Sequence, residues 1–323
     1  MKSIVFIIPY YGKFPDNFSI WCKSVGYNRT IDFYIFTDIK ENRIYKDNIK
    51  YIDMSFSEFK QKIQACVEFP IILDEPYKLC DYKPVYGEAL QEYIYSYDFW
   101  GYCDVDLVFG DIRKFLKNDI LNKYSKIFKF GHCTLYKNSK EINSRWKEKH
   151  HVRAYRYDEA FKTKYCCHFD ETGGISDFYD INDRYDKIVC ADIIPRYKYF
   201  KQNELQKHFI PQIYSWVNGK LYCYYLKENK IEKKEFLYVH FQKRNMKNRI
   251  KDINCVDEFY MIPNQYIYNI NIFEQLYSQN KNNLYIRYRL LRVKEIYSNI
   301  KKGAIWQRVY KLNLEKNRKR LKM

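Results

Sequence analysis

The sequence predicts an α/β fold with a mostly parallel central sheet flanked by helices. Three observations predict it. Short β-branched apolar runs recur through the first 130 residues, helical segments lie between them, and polar or turn residues close the runs at three separate places. Residues 3–9 form a continuous apolar run ended by Pro9 and Gly12, the pattern of a strand buried on both faces. Residues 16–25 then read as a helix, 31–37 as a strand stopped at Asp38, and 49–54 as a third strand. In the helical stretch 55–69, Ser55 is the N-cap and Glu58 completes a capping box. Residues 83–95 read as a helix opened by Pro84. Residues 99–103 are a strand running straight into Asp104-Val105-Asp106, 112–124 are helical, and 127–130 are a strand. Strands alternating with helices imply βαβ units with right-handed crossovers. Ligands of such sheets bind beyond the carboxyl ends of the strands. Pro9-Tyr10-Tyr11, Asp38 and Asp104–Asp106 all lie at such ends, so one shared site is expected there.

The rest of the chain is less regular. Residues 157–166 and 174–179 read as helical, 187–190 and 220–225 as strands, and 236–241 as one short apolar strand ending near His240. From about residue 256 the pattern turns helical, which divides the chain into a sheet domain, 1–255, and a basic helical extension, 256–323. In the extension Ile286, Leu290, Val293, Tyr297 and Ile300 form one apolar helical stripe among Arg287, Arg289, Arg292, Lys294, Lys301 and Lys302. Ile305, Trp306, Val309 and Leu312 resume it after Gly303. The net charge is +18, but residues 281–323 hold 14 Lys/Arg against 2 Asp/Glu, leaving 43 against 37 for the first 280 residues. The basicity therefore belongs to the tail. An amphipathic, Lys/Arg-rich tail suits an anionic membrane surface, packs on the sheet domain, or pairs with its counterpart in a homo-oligomer. The ten cysteines include no CxxC pair and no zinc spacing. No stretch approaches the ~20 apolar residues of a membrane span, and the N-terminal apolar run is too short for a signal peptide. A cytoplasmic protein with reduced thiols, soluble or peripheral, is expected.

The chemistry centres on Asp104-Val105-Asp106. An apolar strand delivers two carboxylates one residue apart, and as the chain leaves the sheet both can approach one cation. Mg²⁺ or Mn²⁺ takes hard oxygen ligands and keeps room for phosphate oxygens. The bland alternative is a pair of turn residues. The context argues against it: apolar residues flank the pair, and Gly110-Asp111-Ile112 opens a helix behind it.

Residues 100–112 resemble the Asp-x-Asp segment of GT-A glycosyltransferases, notably glycosyltransferase family 8. More specifically, residues 76–87 followed by 100–111 resemble a family of bacterial capsule and O-antigen glycosyltransferases, a match spanning about 76–117. The resemblance implies a GT-A fold with a Rossmann-like sheet, and a nucleoside-diphosphate-sugar donor, with UDP favoured. It implies a glycan or lipid-linked acceptor, and the basic tail fits a lipid-linked acceptor made at the inner face of the cytoplasmic membrane, where the chain would sit peripherally. It also implies that His240 completes the metal shell, that Lys243 with Arg244 neutralises the diphosphate, and that Asp81 and Lys83 lie near the donor. This sequence departs from the family-8 pattern: no Gly follows His240, and the Lys comes sooner. The local alternatives are a core histidine at a strand end, Asp81 as an N-cap, and Lys83 as a solvated first-turn residue.

By position at strand ends, Pro9, Tyr10 and Tyr11 would line the nucleoside pocket and Asp38 would bond the base or ribose. Gly87 inside a helix marks a close packing contact or a ligand. An inverting enzyme needs a carboxylate base. Asp170 and Glu171, beside Gly173-Gly174, are the first candidates and Asp158 with Glu159 the second, all four also readable as helix-start charges. A metal-dependent nuclease would use the same carboxylates and the basic tail, but it needs more acidic ligands than the sequence assembles, and the charge lies away from the pair, so nucleic acid is not an expected partner. A non-catalytic membrane adaptor is the remaining alternative.

Overall fold

A computed structural model describes residues 1–148, 155–195, 197–202, 210–280, 297, 306 and 308–314. The stripe residues Ile286, Leu290, Val293 and Ile300, with Arg287, Arg289, Arg292, Lys294, Lys301, Lys302 and Ile305, lie outside them. Strands β1 (Ile4–Pro9), β2 (Asp32–Thr37), β3 (Ile49–Asp53) and β4 (Phe99–Cys103) run parallel in the order β3-β2-β1-β4. Next in sequence come β5 (Leu107–Phe109), β6 (Lys126–Phe130), β7 (Cys133–Lys137) and β8 (Arg184–Tyr185). Of these, β7, β6 and β8 extend the sheet beyond β4, with β7 antiparallel to both neighbours.

The apolar run of β1 is continuous because both of its faces are covered. Val5 and Ile7 join a core with Phe59 and Ile63 of helix α2 (Phe56–Gln64), while Ile4, Phe6 and Ile8 join a second core with Phe18, Trp21 and Val25 of helix α1 (Phe18–Gly26). The Ser55–Glu58 capping box forms as the sequence predicts. The strand order reverses between β1 and β4, which creates the crevice where such sheets bind ligands.

Several expected elements are cut differently. Residues 83–95 are not one helix: a 3₁₀ segment, Pro76–Val85, holds Pro84, and two single turns, Tyr86–Ala89 and Gln91–Ile94, follow. Pro84 supplies no backbone donor, and this breaks a regular ladder. Residues 112–124 divide into Ile112–Phe115 and Asn118–Lys123, and the helix expected at 157–166 stops at Ala160. The single strand expected at 236–241 is two strands in two sheets. Strand β9 (Cys190–Asp192) lies in a small sheet of order β5-β13-β9 with β13 (Tyr238–His240). Strands β10 (Gln212–Val217), β11 (Lys220–Lys227) and β12 (Lys230–Phe236) belong to a separate antiparallel meander.

Residues beyond 256 are not helical at first. They form β15 (Glu258–Ile262) and β16 (Gln265–Ile267), and β14 (Lys247–Asn248) precedes them. β15 pairs with β10, so the meander runs across the expected 255/256 boundary. Tyr214, Trp216, Phe259 and Met261 build its core and shut it against Val108 and Val239. The helix Ile272–Asn280 follows. Residues 308–314 are helical. Tyr310 and Leu314 pack on the first core and the Tyr310 hydroxyl donates to the Glu159 carbonyl at 2.9 Å, while Trp306, Val309 and Leu312 stay exposed. No described helix is long and apolar enough to cross a membrane.

Candidate active site

β4 ends at Cys103 and delivers Asp104 and Asp106 into the crevice. β13 pairs with β5 on one side and β9 on the other, in a register that sets His240 opposite Leu107 and Asp192. The sheet register thus brings a residue 134 positions further along beside Asp106. One ligand atom from each of Asp104, Asp106 and His240 lies within 4.8 Å of the other two. His240 Nε2 is 3.4 Å from Asp106 Oδ1, too poorly placed for a hydrogen bond, and Oδ1 is otherwise buried without a partner. The other oxygen, Oδ2, accepts the Lys243 backbone N–H at 2.8 Å. Gln242 and Lys243 both take positive φ, 50° and 60°, and this sharp turn aims that N–H at the carboxylate.

His240 Nδ1 faces Asp192 at 2.8 Å, and Gln242 also donates to Asp192. With Nδ1 so engaged, Nε2 is left facing Asp106. Burial pushes the His240 imidazole down, but the Asp192 hydrogen bond and the negative charges of Asp106 and Asp192 outweigh it and raise it to about 10. Burial alone would raise the Asp106 carboxyl, yet His240 and the Lys243 N–H bring it to about 2. The pocket is therefore a strongly negative field around one imidazole, which either a proton or a divalent cation neutralises. Two carboxylates, an imidazole nitrogen and one orphaned buried oxygen fit Mn²⁺ or Mg²⁺. An Asp behind the imidazole is the usual arrangement for a metal-binding histidine.

Lys83 reaches the same place. Its ammonium donates to Asp104 Oδ1 at 2.9 Å and to the Gly131 carbonyl at 2.6 Å, and lies 3.3 Å from Asp170 Oδ2. Burial would strip its proton, but Asp104 and Asp170 hold it on. Burial pushes the Asp170 carboxyl up to about 7, against the pull of Lys83. Gly131 is required beside it: a Cβ there would sit 2.5 Å from Asp170 Oδ2.

Of the four carboxylates expected as bases, Asp170 joins this cluster. Glu171 pairs with His168 at 3.0 Å, and Asp158 and Glu159 pair with Arg156 at the start of a helix. Asp81 turns inward: fully buried, it pairs with Lys78 and accepts the Cys167 and Phe169 backbone N–H groups. Gly87 packs on Trp100, whose indole a Cβ would meet at 2.4 Å. The Arg244 guanidinium donates to Asn264 and to the Lys198 carbonyl. Lys243 Nζ lies over the exposed Tyr77 ring at 4.1 Å. Pro9 ends β1, and Tyr10 stacks on Phe14 near enough for Asp106 to raise its hydroxyl further after burial has done so. Tyr11 packs edge-on against Phe56 and Phe59, and Asp38 is exposed nearby.

Three residues carried no sequence signal: Asp192, Gln242 and His132. The His132 ring lies 4.2 Å from that of His240, and its buried Nε2 has no partner. Asp192 stands at a strand end, as Asp38 does, but the strand before it is only three residues long.

A model for a family of unknown function, DUF6625, matches residues 6–270. No curated protein matches the chain. Among solved structures it is similar to the glycosyltransferase GlyE of Streptococcus pneumoniae TIGR4, with 14% identity over 58% of this chain and 45% of that one, at a TM-score of 0.33. The apo form of GlyE gives 16% identity over 45% of this chain and 36% of that one, at 0.27. The galactosyltransferase LgtC, solved with donor and acceptor sugar analogs, gives 12% identity over 59% and 75%, at 0.34. The chain thus spans less than half the length of GlyE.

Proposed function

Because the chain belongs to DUF6625, a family of unknown function, its activity has to be argued from its own site, and we propose a metal-dependent glycosyltransferase. It moves a sugar from a nucleoside-diphosphate sugar, UDP being the expected nucleotide, to a glycan or lipid-linked acceptor in bacterial surface polysaccharide synthesis. The observation that carries the reading is the convergence of Asp104, Asp106 and His240 at the sheet's switch point, with an orphaned Asp106 oxygen between them.

Asp104, Asp106 and His240 would hold Mn²⁺ or Mg²⁺. Bound there, the ion supplies positive charge to a leaving diphosphate. Asp192 keeps the His240 Nδ1 side occupied, so that Nε2 faces the site. Lys83 adds a fixed positive charge beside Asp104. Asp170 holds that ammonium and, with its carboxyl near 7, can take a proton at neutral pH. Tyr10, at the end of β1, is the nearest aromatic candidate for the base. The exposed Trp306, Val309 and Leu312 support a seat on an anionic membrane surface.

The test is nucleotide release from a panel of UDP-, GDP- and CDP-sugars with Mn²⁺, Mg²⁺ or EDTA. Release from one nucleotide class that needs the metal supports the reading. A folded protein that hydrolyses or transfers none of them, or does so equally in EDTA, overturns it.

A further inference from the structure

Two thiols lie together behind the Lys83–Asp170 pair. Cys80 sits in the 3₁₀ segment Pro76–Val85, between Leu79 and the buried Asp81. Cys166 precedes the turn that carries His168, Phe169 and Asp170. Their sulfurs, with an Asp81 oxygen, lie within 4.8 Å of one another, and both residues are partly exposed. Asp81 is already engaged by Lys78 and by the Cys167 and Phe169 N–H groups, so it has little left to offer a metal. The pair is thus a dithiol rather than a cation site.

We propose that Cys80 and Cys166 form a reactive dithiol that low-molecular-weight disulfides of the glutathione type convert to an intramolecular disulfide. The Cys166 thiolate attacks the small disulfide, forming a mixed disulfide and releasing one small thiolate. Cys80 then loses its proton and attacks the Cys166 sulfur, releasing the second small thiol. In sum, two protein thiols are oxidised and one small disulfide is reduced to two thiols.

The surroundings assign the two roles. The Cys80 S–H directed at Cys166 lowers the Cys166 thiol and raises that of Cys80, and the charges of Lys78 and His168 help to lower Cys166. His168 is held protonated to about 9 by Glu171. The adjacent Cys167 is buried, and burial pushes its thiol up to about 12, so it is the poor competitor.

The bond would also reach the active site, an effect that rests on the functional reading above. A disulfide draws two sulfurs to about 2.05 Å. It ties the segment bearing Lys83 to the turn bearing Asp170, the two residues that meet 3.3 Å apart beside Asp104. The expected consequence is UDP–Mn²⁺ affinity lower by about 10-fold in the oxidised protein.

The experiment equilibrates the full chain in stepped ratios of glutathione to glutathione disulfide, traps thiols with acid and an alkylating agent, and maps peptides without reduction. The expected product is a Cys80–Cys166 cross-link that dithiothreitol reverses and that Cys166→Ser and Cys80→Ser each abolish. A Cys166–Cys167 link, a stable mixed disulfide on Cys166, or no reaction at Cys166 overturns the proposal. The cross-link is mapped without nucleotide, so its absence refutes the dithiol and leaves the metal site standing. A cross-link that forms without changing the UDP–Mn²⁺ response of an active protein refutes the coupling.

Discussion

Two carboxylates of this chain, Asp81 and Asp106, are built in opposite ways. Asp81 is sealed: no part of it is exposed, Lys78 neutralises it, and two backbone N–H groups complete its bonding. Asp106 is left unfinished. One oxygen takes a single backbone N–H, and the other is buried with no partner but an ill-placed imidazole. A finished carboxylate holds structure and an unfinished one waits for a ligand, because a buried acceptor without a partner costs about 1–3 kcal/mol unless something fills it. The comparison teaches that burial alone does not identify an active-site acid. Completeness of bonding does.

The comparison breaks most visibly at Asp81. Asp81→Ala strands the Lys78 ammonium, only 6% exposed, in the interior. Unfolding in urea should show a loss of about 3–5 kcal/mol. A loss near that of a surface substitution, about 0.5 kcal/mol, would mean that Asp81 is no structural anchor. The same experiment on Asp106→Ala should show a smaller loss, since the variant gives up one Lys243 N–H bond and the attraction of His240 but leaves no sealed ammonium behind.

A smaller effect sharpens the other side. Asp192→Asn keeps the shape behind His240 and removes the charge that fixes the ring. Mn²⁺ affinity, read by electron paramagnetic resonance of the free ion, should fall by about 10–100-fold. Unchanged affinity would remove His240 from the ligand set.

A further prediction concerns a buried charge of a third kind. Lys126 is fully buried, its ammonium donates to the Phe128 carbonyl, and burial lowers it to about 7. Between pH 7 and the unfolded value of about 10.4 the unfolded chain holds a proton that the native protein lacks. Stability attributable to Lys126 therefore rises with pH across that window, by at most about 1.4 kcal/mol per unit. Lys126→Met should flatten the pH dependence relative to the parent between pH 7 and 10. Parallel curves would show that Lys126 stays charged.

The first half of the fold was legible because its signals are local. A strand buried on both faces must be apolar throughout, and β1 is; a capping box needs two residues three apart, and Ser55 and Glu58 are there. The meander was not. β11 and β12 mix Tyr, Lys and Glu with apolar residues because one face of the meander is solvated, and nothing local separates Phe236 from Tyr238 although they belong to different sheets. In the site, the Asp104–Asp106 spacing could be read directly. His240 needed the resemblance, and Asp192 could be found only through the β9–β13 register. Asp81 shows the reverse: the resemblance places it near the donor, and its three partners reveal that it faces the protein.

The most direct test of the metal-dependent reading is thermal stabilisation by UDP, GDP and CDP, each with and without Mn²⁺, on the parent protein and on Asp104→Ala/Asp106→Ala. The account predicts that one nucleotide, UDP by expectation, raises the Tm only when Mn²⁺ is present, and that the double variant loses the effect while remaining folded. Equal stabilisation without the metal, or in the double variant, would contradict it.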